Sequence, residues 1–477
     1  MVRQIVKFGL LAGTAMLVTA PASAETLNEA LAKAYRTNPT LTAAQAGQRA
    51  TDEGVPIAKS RGRPTADLSG RFTENLIISA TNFFSPKRNV GAQATLTVPL
   101  YQGGGVKNAI RAADARVDSG QASLRGTESA LFSNVVAAYL DVIRDGGIAG
   151  LNAKQVQVLS KNLEATRDRF EVGDLTRTDI AQSESRLAVA RSQLQTAEAQ
   201  LIASRERYIQ LVGEAPSGLQ EPPPLPNLPA SNEAAVQKAL DNNPDLIAAK
   251  KSADAARYDI KVTRANTLPR ISATVDRSYA NFLNSAPSPL QPNTSNTSAA
   301  GVQFTLPLYA GGQVSAQVRQ AQARSSQAIE QIVAAERDVV SQTRTAYASW
   351  RASNEVIVSS EVAVKAAALS LEGVKAENSV GNRTILDILN AEQELLNAEV
   401  QLVGARRNAY VAGFTLLAAM GQAEARDLGL DGGALYDPEV NYNRVKGRFL
   451  DFQEDKVGPP VATRTVDTPA QTPPKRP

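Results

Sequence analysis

The chain has 477 residues, 51 basic and 47 acidic, with no histidine, no cysteine and only 5% aromatic residues. Without these two residue types there is no imidazole acid–base catalyst, thiol nucleophile, disulfide or lipid-bearing N-terminal cysteine, and zinc and haem lose their usual ligands. The net charge of +4 gives no reason to expect a nucleic-acid partner, which needs a concentrated basic face, so the expectation is no cofactor, no metal and no nucleic acid.

Arg3 and Lys7, the apolar run Phe8–Ala20 and the small-x-small site Ala22-Ser23-Ala24 make residues 1–24 a signal peptide, with the mature chain starting at Glu25. Without the leader's two basic residues the net charge is +2. No later segment offers about 20 continuous apolar residues, so any membrane crossing is made by strands.

Residues 27–37 have the pattern of a short amphipathic helix stopped before Asn38-Pro39, and a second helix is expected from Thr40 to Arg63, ended by Pro64. Over 65–78, Ala66, Leu68, Gly70, Phe72, Leu76 and Ile78 alternate with mostly polar neighbours, Glu74 being the exception. After a polar loop around 82–89, the alternation resumes over 90–101 with Val90, Ala92, Ala94, Leu96 and Val98. Both runs have the period of strands, and arms of about ten residues suit a tilted crossing of a bilayer. Residues 105–170 contain no proline and predict one long helix, with Gly146, Gly147 and Gly150 offering a place to bend. Val172, Gly173 and Asp174 then reverse the chain into a return helix over 175–212.

The pattern then recurs. VPLYQGG (98–104) matches LPLYAGG (306–312), and Val172-Gly173 matches Val380-Gly381, both at an offset of 208. The chain is therefore a tandem duplication: a first repeat 25–213, a proline-rich extended connector 214–231, and a second repeat 232–421. In the second repeat the strands fall at 270–281 and 299–309, around the loop 283–298. Its long helix covers 313–378, its turn is Val380, Gly381 and Asn382, and its return helix covers 383–420. The return helices carry strict heptads: Ile180, Leu187, Leu194, Leu201 and Tyr208 beside small residues, and Leu395-Leu396 and Leu402-Val403 in the copy. Heptads impose a coiled coil, and the small flank admits a second neighbour. Residues 422–457 are a C-terminal segment with no assigned element, and 458–477 lack the apolar content to fold.

The fold class is thus an α+β membrane protein, with four transmembrane strands and long antiparallel coiled-coil helices per chain. Four strands cannot close a barrel in lipid, so copies must associate; two would give eight strands and three twelve. The Gly-rich QGGGVKNA lacks the Gly-Lys-Ser/Thr ending of a phosphate loop. Tyr101, Gly103 and Gly104, like Tyr309, Gly311 and Gly312, instead mark a strand-to-helix junction.

LPLYAGGQVSAQVRQAQ (306–322), AYLDVI (138–143) and SVGNRTILDIL (379–389) resemble the TolC-type outer-membrane factor family, and the likeness spans the mature chain. It implies a homotrimer with one 12-stranded β-barrel in outer-membrane lipid, continued by a 12-helix periplasmic tube. It further implies a passive duct for efflux or type I secretion, served by a periplasmic adaptor protein and an inner-membrane pump of RND, ABC or MFS type. By the same resemblance Arg383 is the linking arginine of a gate, with Thr178 and Asp179 as its partners. Asp387 forms an acidic ring at the constriction, Asn390 stands at a second ring position, and the turns 172–174 and 380–382 meet the adaptor. Asn378 stands where the family often has tyrosine. The competing reading is a non-conducting periplasmic scaffold or adhesin stalk, against which the two alternating hairpins argue; no constellation of nucleophile, base and pocket suggests an enzyme.

Overall fold

The computed structural model describes residues 25–78, 86–283, 292–430 and 435–473; the expected signal peptide and parts of both strand-connecting loops lie outside the described residues. Thr26 and Glu29 cap each other's backbone N–H groups, opening α1 (Leu27–Thr37). The repeated Asn-Pro has a structural reason. Asn38 Oδ1 accepts from the Thr40 N–H at 2.9 Å to start α2 (Pro39–Asp52), while its Nδ2 donates over 2.9 Å to the carbonyl of Leu211 in the first return helix. Asn243 likewise accepts from Asp245 and Leu246 and donates over 3.0 Å to Ala419 in the second return helix. One buried amide thus serves the start of one helix and the end of another. The single helix expected over 40–63 is instead two, α2 and α3 (Gly54–Ser60). Pro56 accounts for the break, since it has no N–H and clashes with the carbonyl four residues back.

β1 (Thr65–Glu74), β2 (Arg88–Gln102), β3 (Arg270–Leu283) and β4 (Thr294–Thr305) form one antiparallel sheet in sequence order. β1 stops short of Ile78, and β4 begins and ends earlier than the expected 299–309. Pairing of β2 with β3 joins the hairpins, so that Val98, Ala273 and Val302 share one row and Ala66, Leu96, Val275 and Ala300 the next. Paired residues lie on one face, so the apolar face of the first hairpin continues into the second until Arg277, which shares a row with Leu68 and Ala94. β1 and β4 are the edges of the sheet.

α4 (Gly105–Glu171) and α8 (Gln313–Ser379) have 67 residues each and are therefore about 100 Å long. α4 passes its three central glycines without a break. α5 (Arg177–Val212) and α9 (Ile385–Ala419) return alongside them. Both faces of the first heptad pattern are buried: Leu187, Leu194, Leu201 and Tyr208 on the seam, and Ser183, Ala190, Ala197 and Ser204 on the flank. α6 (Asn232–Asn242) and α7 (Pro244–Arg264) precede β3, with α7 between α4 and α8. α4 is covered by α5, α7 and α9, whereas α8 leaves Ile329, Val333, Val358, Val362 and Leu369 exposed.

The extended connector returns to Glu25, next to the start of α1. The Tyr139 hydroxyl lies 2.8 Å from the carbonyl of Glu25 and 2.7 Å from that of Gln220. The C-terminal segment, without an expected element, forms α10 (Pro438–Val445) and lies on α1, α2 and α4. Asn441 donates to buried Asp52 at 2.7 Å, and the Tyr436 N–H donates to the Tyr35 hydroxyl at 2.9 Å. In the stretch 458–473, the Gln471 N–H meets Glu206 of α5 at 3.1 Å and Arg205 meets the Thr472 carbonyl at 3.4 Å.

Glu128 on α4 accepts from the Ala425 N–H at 2.5 Å, yet burial, reinforced by Glu424 and Asp427, pushes its carboxyl up to about 7. Between the ordinary value of 4.5 and about 7 the folded chain therefore holds more protons than the unfolded one, and stability falls as pH rises through that window. Glu128→Gln is expected to flatten this fall, which amounts to at most about 3 kcal/mol. Hydrogen exchange of residues 424–430 at pH 5 and pH 8 reads it: the wild type opens more readily at the higher pH, and the variant does not.

Candidate gate at the helical tip

α4 ends at Glu171, and the chain reverses through Val172 and Gly173 (φ 84°). The left-handed glycine lets the Asp174 N–H reach back to the Arg169 carbonyl at 2.9 Å, and the two side chains pair at 2.6 Å. Thr176 then caps α5 by sending its N–H and hydroxyl to Asp179 Oδ2, at 2.8 and 2.7 Å. The second turn repeats this plan. Val380 and Gly381 (φ 81°) reverse the chain, the Asn382 N–H reaches the Glu377 carbonyl at 3.0 Å, and Thr384 sends its N–H and hydroxyl to Asp387 Oδ2 at 2.9 and 2.8 Å. The Thr-x-x-Asp spacing at 176–179 and 384–387 is a capping signature legible in the sequence, though the family motif alone does not point to it.

These caps have an electrostatic consequence. The hydrogen bonds from Thr176 hold Asp179 below the usual carboxylate range, and those from Thr384, with Arg383 nearby, do the same for Asp387. Both aspartates are ionised at neutral pH.

Within the chain, Arg383 pairs with Glu377 at 2.6 Å, and Asn378 clasps the same turn by donating over 2.7 Å to the Arg383 carbonyl. Among the described residues no hydrogen bond or ion pair links Arg383 to exposed Thr178 or to Asp179. Glu377 is the acid that the turn itself brings close, and Asp179 is engaged in its own cap. Asn390 Oδ1 accepts from Arg186 at 2.8 Å, tying α9 to α5.

Glu392, 4% exposed, joins three helices, accepting from Asn162 of α4 at 2.9 Å and pairing with Lys375 of α8 at 3.2 Å. With Leu159, Leu163, Leu187 and Leu389 packed beside it, the two hairpins become one body above the turns. Nothing in the heptad pattern marked Glu392, since its position reads as an ordinary charged helix site. At the opposite end of α4, Gly103 (φ 60°) and Gly104 (φ 75°) form the strand-to-helix junction, where a side chain at 103 would press on the Ala265 carbonyl at 2.9 Å. Gly311 (φ 61°) and Gly312 (φ 79°) repeat the conformation, and Tyr101 and Tyr309 are exposed beside the two pairs.

The chain matches the outer membrane efflux protein family over residues 30–214 and 235–422, the two repeats. It is 33% identical to the outer membrane efflux protein BepC of Brucella suis biovar 1, over 92% of this chain and 94% of that one. It is 27% identical to the outer membrane protein TolC of Escherichia coli K12, over 87% and 86% of the two chains. Among solved structures, the CmeC outer membrane channel of Campylobacter jejuni superposes with a TM-score of 0.75 at 17% identity, covering 88% of this chain and 89% of that one.

Proposed function

The chain belongs to the outer membrane efflux protein family and is an outer-membrane efflux or secretion channel, and from that premise we propose how its copies build and close the duct. The observation that carries the proposal is the pair of free sheet edges on β1 and β4 together with the exposed apolar residues of α8. Unpaired edges do not survive in lipid, so β4 of one subunit pairs with β1 of the next, and with the three subunits that membership of the family implies this closes a 12-stranded barrel. The apolar side of α8 seats against the neighbouring subunit's helices, extending the barrel into a tube.

At the far end Arg383 reaches Thr178 and Asp179 of the adjoining hairpin, exchanging Glu377 for them when the tip closes. Three copies of Asp387 face the axis and favour cations, as charged rings do in channels, with Asn390 adding polarity but no charge at the next position. The exposed turns 172–174 and 380–382 offer the docking points for a periplasmic adaptor, through which an inner-membrane pump of RND, ABC or MFS type delivers cargo.

Reversal potentials in a salt gradient across a planar bilayer test the ring. The wild-type channel is expected to prefer cations, and Asp387→Asn to lose about half of that preference or more, because the ring's charge is removed at a narrow point. An unchanged preference would remove Asp387 from the constriction.

A further inference from the structure

Beyond α10 the chain returns to the foot of the sheet. Lys59 of α3 donates over 2.8 Å to the Lys446 carbonyl, and Arg63 donates over 2.6 Å to the Arg448 carbonyl. Because β1 starts at Thr65, these bonds place residues 446–448 level with the end of the sheet that continues into the helices. From that level Phe449, Leu450 and Phe452 stand out into solvent, 70%, 57% and 102% exposed. The loop that carries them is built rather than loose. Arg444 and Arg448 both pair with Asp455, at 2.7 and 3.2 Å, closing its base. At its crest Phe452 adopts a left-handed backbone (φ 66°), which bulky residues rarely take.

Three large apolar groups within four positions are an unfavourable surface in water, and such a surface marks a contact. Two features identify its partner. The crest lies level with the start of β1, a strand on which the apolar Leu68 and Phe72 are 81% and 61% exposed. Its base is basic: Lys59 and Arg63 are bonded to the main chain of 446 and 448, and Lys446 and Lys456 flank the loop in sequence, against Asp451 and Glu454, while Asp455 is already paired. Apolar side chains ringed by lysine and arginine suit the boundary between phosphate headgroups and acyl chains.

We propose that the loop Phe449–Phe452 is an interfacial anchor that inserts its apolar crest into the periplasmic leaflet of the outer membrane, with the flanking basic groups on anionic phospholipid. The anchor rests on the barrel's seat in that membrane and adds a second hold outside the barrel wall. Since 446–448 are bonded to α3, the anchor sets the height of the C-terminal segment and of α2 and α3 against the bilayer.

The absence of cysteine makes the test clean. Leu450→Cys, Phe72→Cys and Val461→Cys, each alone in the full-length trimer and carrying a nitroxide, are reconstituted into vesicles of phosphatidylethanolamine and phosphatidylglycerol. Accessibility to oxygen and to a water-soluble nickel chelate then reports depth. The labels at 72 and 450 are expected to favour oxygen, 450 less deeply than 72, and the label at 461 to favour nickel. A label at 450 as open to nickel as that at 461 overturns the anchor, and so does one shielded from both reagents, which would mean that a neighbouring subunit covers the crest. If the label at 72 also favours nickel, the membrane seat of the sheet has failed, and the anchor with it.

Discussion

Phe132→Ala is expected to destabilise the folded chain by about 3–5 kcal/mol, the usual cost of emptying a fully buried aromatic site. Phe132 on α4 is 0% exposed, and its ring lies 6.2 Å from that of Tyr35 on α1. Tyr35 in turn receives the Tyr436 N–H of the C-terminal segment. One ring therefore supports three parts of the chain that meet far apart in sequence. The cavity cannot collapse easily, because α4 is held along its length by α5, α7 and α9. The thermal midpoint of the trimer in detergent should fall by several degrees. An unchanged midpoint would mean that this core does not carry the stability assigned to it.

Gly421→Ala is the second large effect, expected at about 2–4 kcal/mol from left-handed strain and overpacking together. Gly421 has φ 68°, and an added methyl group would collide with the carbonyl oxygen of Asn242. That carbonyl precedes Asn243, whose side chain holds the Ala419 carbonyl, so the methyl group also loosens the amide that joins the two helices. Gly381→Ala is the control. It shares the left-handed backbone, φ 81°, but a methyl group there meets nothing within 4 Å, leaving only the strain, about 1–2 kcal/mol. A loss at 421 no greater than at 381 would contradict the close packing.

The contrast between these sites shows what the sequence carried. Long-period features were legible: the duplicated LYxGG junctions, the heptads through Leu187 and Leu194, and the valine–glycine reversals are local patterns repeated often enough to read. Pro56 was equally visible, but Pro64 answered the same question first and masked the break that Pro56 makes. The C-terminal segment was not legible, because Asn441 on Asp52 and Tyr436 on Tyr35 are single polar contacts between residues 389 and 401 positions apart, with no periodicity to announce them. At the tip, the turn positions and the aspartates could be read, whereas the pairing of Arg383 with Glu377 depends on where the turn folds back. The buried Glu392 was hidden for the same reason: its role comes from the two neighbouring helices and not from its own.

Closure at the tip is most directly tested by the planar-bilayer conductance of the purified trimer, comparing wild type with an Arg383→Ser, Asp179→Ala double variant. Arg383→Ser alone is measured beside it, because Asp179 also caps α5. A tip closed by these groups predicts a small, cation-preferring conductance in the wild type that rises several-fold in the double variant and part of the way in the single one. Equal and unrestricted conductance in wild type and variants, or none at all from folded trimers, would contradict it.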